Sequence, residues 1–126
     1  MKEIPKGYHI HKNGGGLVQD TVKIDETVYV GPNAQVYGNA RVSSNAWVYG
    51  NARVYGDAWV SSPLYIQGTK HALTNSKYGH IAIGCHEHTF AYWQEHYKAI
   101  GRAEGYTKEE IEQYGLFIQM FTKIGK

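Results

Sequence analysis

Aliphatic side chains recur at every sixth position through the first half of the chain: Ile24, Val30, Val36, Val42, Val48, Val54, Val60 and Ile66. Two positions before each stands a second apolar residue, namely Val22, Val28, Ala34, Ala40, Ala46, Ala52, Ala58 and Leu64. Gly, Asn, Asp, Ser or Pro fills most positions between, in runs such as "GPN", "GN", "SSN" and "GD". These residues tolerate the backbone conformations of tight turns. Apolar residues two apart point to the same side of a strand, so each unit predicts a short strand followed by a turn. Three units make one triangular coil of about 18 residues, stacked on the next at roughly 4.8 Å. An amphipathic helix fits poorly, because a period of six clashes with about 3.6 residues per turn and the glycines oppose it.

After "SSPLYIQGT" the period stops, and Pro63 suits a sheet edge because it cannot donate to a ladder. The segment "ALTNSKYGHIAIG" predicts two short strands around a turn from Asn75 to Gly79, with Ile81 and Ile83 facing inward. A helix is expected over residues 90–100, with Phe90, Trp93, Tyr97 and Ile100 on one stripe and Thr89 as N-cap. A second opens at Thr107, where Glu110 completes a capping box and Ile111, Tyr114, Ile118 and Phe121 form the apolar stripe. The expected organisation is thus an N-terminal arm or start of the first coil (1–21), repeat coils (22–68) and a C-terminal cap of a β-hairpin and a helical hairpin (69–126). Gly16 and Val18 fit the repeat phase, which would let the first coil begin within the arm. Eight units make fewer than three full coils, a thin prism expected to need capping and self-association.

The motif A-x-V-x-G-N, repeated within residues 22–68, resembles the hexapeptide-repeat family. That resemblance implies a mainly β fold, a short left-handed parallel β-helix of about three coils, and a homotrimer or a dimer of trimers. Many members of the family are acyltransferases, with more coils, an extruded loop and a histidine base. Residues 22–68 contain no histidine and no irregular insertion, so the pattern departs from the enzymes. From Ile81 to about Ile118, "I-x-I-G-C-x-x-H-T" and an aromatic-rich helix are similar to the tail of small phage and prophage proteins. Ile83, Gly84, Cys85, His88, Thr89 and Trp93 carry that similarity.

Charge is nearly balanced, 13 Lys and Arg against 11 Asp and Glu, which gives no argument for nucleic acid or an anionic membrane. The single cysteine, Cys85, excludes an internal disulfide framework and suits a reducing compartment. "MKEIPKGYHIHKNGGGL" lacks an apolar leader core, and no stretch is long and apolar enough to span a membrane. A soluble protein of the cytoplasm is expected, the host's if phage-encoded.

Outward positions 18 apart should stack in columns. These are Tyr29, Trp47 and Tyr65; Lys23, Arg41 and Trp59; Gln35 and Arg53; Tyr37 and Tyr55; and Gly31, Tyr49 and Gln67. Such ladders can simply hold a coil together or be buried between subunits. They can also bind planar anions such as nucleotides, with rings stacking on the base and arginine pairing with phosphate. Arg41, Arg53, Trp47, Trp59, Tyr49 and Tyr55 are the candidate contacts, and there is no P-loop or dinucleotide fingerprint.

In "GHIAIGCHEHTF", Cys85, His86 and His88, with His80 nearby, are metal-ligand types, but the second cysteine pair of a zinc signature is missing. No metal or cofactor is therefore assigned; Cys85 and His88 would be the ligands if one bound. A Cys85 nucleophile with His86 or His88 as base lacks an orienting carboxylate beyond Glu87 and Glu95.

The expected function is a non-enzymatic, homo-oligomeric binding protein. A phage accessory anti-defence role fits it, by sequestering a nucleotide-type signal or blocking a host defence protein. A structural spike or fibre component and an acyltransferase-like enzyme are the alternatives.

Overall fold

A computed structural model describes residues 3–126, which fall into two compact units, one ending at Pro63 and one beginning at Leu64. The first unit is a β-solenoid. Its strands are β1 (Tyr8–Ile10), β2 (Leu17–Gln19), β3 (Lys23–Ile24), β4 (Tyr29–Val30), β5 (Gln35–Val36), β6 (Arg41–Val42), β7 (Trp47–Val48), β8 (Arg53–Val54) and β9 (Ala58–Trp59). They form three parallel sheets, β2-β5-β8, β3-β6-β9 and β4-β7, with β1 added antiparallel to β2. Register fixes the coil length: Leu17 pairs with Gln35 and Gln35 with Arg53, an advance of one 18-residue coil each time. The coil thus begins at β2, within the segment expected as an arm or the start of the first coil, and β1 covers the outer edge of that strand.

Small turns and small side chains together permit this stack. Gly38 and Gly50 sit at φ +70° and +59°, and Ser44 takes the equivalent corner at φ 60°. At Gly38 a Cβ would lie 2.4 Å from the carbonyl oxygen of Tyr55 in the next coil, so glycine is required by contact as well as by conformation. Inside, Val18, Val28, Val30, Val36, Val42, Val48 and Val54 are fully buried, with Ala34, Ala40, Ala46 and Ala52 between them. Each coil's backbone N–H groups donate to the next: Lys23 to Ala40, Tyr29 to Ala46 and Gln35 to Ala52.

The period breaks in the third coil. The N–H of Arg41 donates to Asp57 and that of Ser43 to Trp59, one residue earlier than the repeat requires. Arg41 pairs with Ala58 and Val42 with Trp59. Asp57 takes the left-handed corner at φ 67°, one step later than the glycines' phase, and the strand after it slips by one. A one-residue slip exchanges the faces of a strand. Trp59 therefore points inward, 2% exposed, and Val60 points out at 67%. The indole N–H is satisfied by the Gly56 carbonyl at 2.8 Å. Among the described residues, sheet β4-β7 receives no third strand, and the N–H of Trp47 on β7 donates instead to the Ser62 hydroxyl at 2.8 Å.

The expected eighth repeat, Leu64 and Ile66, belongs to the second unit, because β10 (Tyr65–Gln67) pairs antiparallel with β11 (Ala72–Lys77). The sheet continues through β12 (His80–Ile83) and β13 (His86–Thr89). The turn between β11 and β12 tightens to Tyr78-Gly79, and Asn75 lies buried in β11 rather than in the turn. Asn75 donates to the carbonyls of Lys77 and His80 and accepts the N–H of Lys126, holding the end of the chain. Helices α1 (Phe90–Ala103) and α2 (Lys108–Ile124) follow, capped by Thr89 and by the Thr107–Glu110 capping box. Trp93, Tyr114, Ile118 and Phe121 pack on Leu73, Ile81 and Ile83 to make this unit's own core.

Candidate functional site

The outer faces of the solenoid carry the first candidate surface. Tyr29 and Trp47 stack with ring centroids 4.5 Å apart, and Tyr37 and Tyr55 at 5.4 Å. Trp47 remains 55% exposed and Tyr49 41%, so both present aromatic surface outward. Tyr65, expected as the third rung on Tyr29 and Trp47, belongs to the other unit and hydrogen-bonds Gln67. Lys23 and Arg41 are in register on β3 and β6, and Gln35 and Arg53 on β5 and β8.

Trp59 must be removed from the candidate contacts. The slip after Asp57 puts Ala58 beside Arg41 and the indole in the core. What remains there is a shallow groove containing Lys23, Asp25, Arg41, Ser43 and Ala58. Asp25 uses a carboxylate oxygen to accept the N–H of Ser44 at 3.2 Å. Among the described residues, neither Lys23 nor Arg41 has an ion-pair partner.

The second candidate lies wholly in the C-terminal unit. Gly84 and Cys85 form the two-residue turn between β12 and β13, with Gly84 at φ +57°. Glycine at the first turn position is favoured in such hairpins. A Cβ on Gly84 would also come within 3.1 Å of the His71 ring. Helix α1 starts directly after β13 and brings Glu104, at its far end, back to that turn. The Glu104 carboxylate lies 2.9 Å from His86 Nε2. Cys85, His86 and Glu104 offer ligand atoms all within 4.8 Å of one another. They stand at a cavity of about 40 Å³ whose walls include His71, Trp93, Tyr97, Tyr106 and Tyr114.

The cavity wall is tightly hydrogen-bonded. The Tyr114 hydroxyl accepts the N–H groups of Lys70 and His71 and donates to the His71 carbonyl. His71 Nδ1 meets the Tyr106 hydroxyl at 2.5 Å. Burial, and then Tyr114, push the Tyr106 phenol far above its ordinary range, so it stays protonated. His88 is not in the cluster; its ring stacks on Tyr92 at 4.0 Å, and burial, followed by the neighbouring His86, lowers its pKa from the ordinary histidine value. His80 is engaged elsewhere, with Glu87 at 2.5 Å. Sequence spacing suggested Cys85 with His88; only the return of α1 shows that the neighbours are His86 and Glu104.

Residues 34–50 and 46–62 each match the family model described as the YdcK β-solenoid repeat. These two stretches span β5 to β9, so the repeat is similar to a β-solenoid at the level of sequence as well as of strand pairing. No curated protein and no solved structure matches the chain. Among the described residues, no helix is long and apolar enough to cross a membrane.

Proposed function

We propose that the chain is a non-enzymatic binding protein whose solenoid, wound left-handed and associated as a homotrimer or a pair of trimers, takes a planar anionic ligand of the nucleotide type. The observation that carries this reading is the in-register pair Lys23 and Arg41, two cations without an ion-pair partner among the described residues, in one groove of sheet β3-β6-β9. Arginine and lysine so aligned suit phosphate oxygens. Exposed Trp47 and Tyr49 add surfaces on which a base can stack. Arg53, Tyr55 and Tyr37 extend the same chemistry on neighbouring positions. Sequestering a nucleotide signal in a phage-infected cell is the setting that this chemistry and the resemblance of the tail suggest.

Acyl transfer has less support. The even 18-residue advance from Leu17 to Gln35 to Arg53 leaves no extruded loop in these coils to hold a base. Native mass spectrometry, followed by calorimetric titration with ADP, tests the proposal. A trimer or hexamer that binds ADP, with binding at least tenfold weaker in Arg41→Glu and unchanged in Arg102→Glu, is the expected result. A monomer, or equal binding in wild type and Arg41→Glu, would remove the basis for it.

A further inference from the structure

We propose that Cys85, His86 and Glu104 bind one thiophilic divalent cation of the zinc class, with the fourth coordination position open to water at the cavity beside them. The set offers three different ligand types: a thiolate sulfur, an imidazole nitrogen and a carboxylate oxygen. Three protein ligands and one open position are the arrangement of zinc sites that exchange a ligand, whereas closed structural sites use four.

The geometry is close to what a cation needs. In a tetrahedral site with metal–ligand distances of about 2.0–2.3 Å, ligand atoms lie roughly 3.3–3.6 Å apart. His86 Nε2 and Glu104 are slightly closer than that, at 2.9 Å, and all three ligand atoms fall within 4.8 Å. The turn residue Cys85 is exposed, while the ring of His86 makes an edge-on contact with Trp93 at 6.3 Å.

Charge points the same way. Glu104 is the C-cap of α1, where unsatisfied carbonyls give the helix end a partial negative charge. A carboxylate there gains from nearby positive charge, which Arg102 in the last turn and a bound cation would both supply. A dication with one thiolate, one carboxylate and a neutral imidazole sums to zero. Binding replaces the His86–Glu104 hydrogen bond and releases the Cys85 thiol proton to solvent, so affinity should rise with pH. The site sits in the C-terminal unit, and its failure would leave the solenoid proposal untouched.

Titration of the tag-free full chain with Co²⁺, read by absorption, tests the assignment. One equivalent should produce visible bands of a tetrahedral ion together with a near-ultraviolet thiolate-to-metal band, and Zn²⁺ should displace it. Cys85→Ser should abolish the near-ultraviolet band. Both Cys85→Ser and His86→Ala should weaken binding by 100-fold or more, and Glu104→Gln by roughly tenfold. His80→Gln should change nothing, because its partner is Glu87. Far-UV circular dichroism confirms that each variant is folded; Cys85, being exposed, can be changed without disturbing the core. No saturable binding below about 100 µM, or binding unchanged in folded Cys85→Ser and lost in His80→Gln, would overturn the proposal.

Discussion

The two units solve the same packing problem with opposite materials. The solenoid fills its interior mainly with valine and alanine, and up to the slip at Asp57 wall residues meet their counterparts one 18-residue coil away, as Lys23 meets Arg41 and Tyr29 meets Trp47. The C-terminal unit fills its interior with Trp93, Tyr114, Ile118 and Phe121, and its ties have no common spacing. Tyr114 reaches His71 across 43 positions, and Lys126 reaches Asn75 across 51. A repeated contact is written in the sequence as a period; a unique contact leaves only an apolar stripe and a cap. The comparison also shows where candidate chemistry arises in each. On the solenoid it comes from repetition of outward residues. In the C-terminal unit it comes from a turn and a helix end that only the fold brings together.

Trp59 tests this contrast most severely, because it sits where the period and the structure disagree. Counting sixes places it outward on the Arg41 face; the slip at Asp57 places it in the core. Trp59→Ala should therefore cost about 3–5 kcal/mol of solenoid stability, the usual cost of emptying a buried indole site. Urea unfolding followed by far-UV circular dichroism measures it. Val60→Ala, at an exposed position, should change stability by less than about 0.5 kcal/mol. Were the two effects reversed, the unbroken register of the sequence would be the correct one.

Much of the solenoid was legible for a physical reason: a strand of two residues and a corner of four admit few alternatives, so composition and spacing agree at every turn. The slip was not legible, since "YGDAWV" reads as another unit until the corner moves from Gly56 to Asp57. Leu64 and Ile66 kept the spacing too, yet their strand pairs antiparallel with β11. In the other unit, both N-caps and both apolar stripes were readable because Thr89 and the Thr107–Glu110 box act within one helical turn. The third strand partner, β13, was not read. Nor was the place of Glu104, which depends on the length of α1 and the direction of its return. Cys85 and His86 could be named as ligand types from their chemistry; their carboxylate neighbour lies 18 residues beyond His86.

Glycine separates the two units next. Gly38 and Gly79 both hold left-handed backbone, at φ +70° and +78°, but only Gly38 has another coil against it. An added Cβ at Gly38 would lie 2.4 Å from the Tyr55 carbonyl oxygen, whereas one at Gly79 meets nothing within 4 Å. Gly79→Ala should cost about 1–2 kcal/mol, from conformation alone. Gly38→Ala should cost clearly more than that, by about 1 kcal/mol or more, since backbone must move as well. Equal losses in urea unfolding would mean that the coils are not in contact at this corner.

Threonine gives the finest comparison. In the solenoid Thr27 donates its hydroxyl to the Ser44 carbonyl of the next coil at 2.6 Å, and Thr21 does the same to Gly38. In the C-terminal unit Thr107 accepts the N–H of Glu110 while the Glu110 carboxylate accepts the N–H of Thr107. The Thr107 side chain satisfies a donor that the helix geometry leaves without a partner, so Thr107→Ala should cost about 1 kcal/mol and fray the start of α2. The Ser44 carbonyl stands at an exposed corner, where water can replace the hydroxyl that Thr27 supplies. Thr27→Ala should therefore cost no more than about 0.5 kcal/mol. If Thr27→Ala proved the costlier of the two, the coils would be held together by these corner hydroxyls, and the valine stack would contribute less than its burial implies.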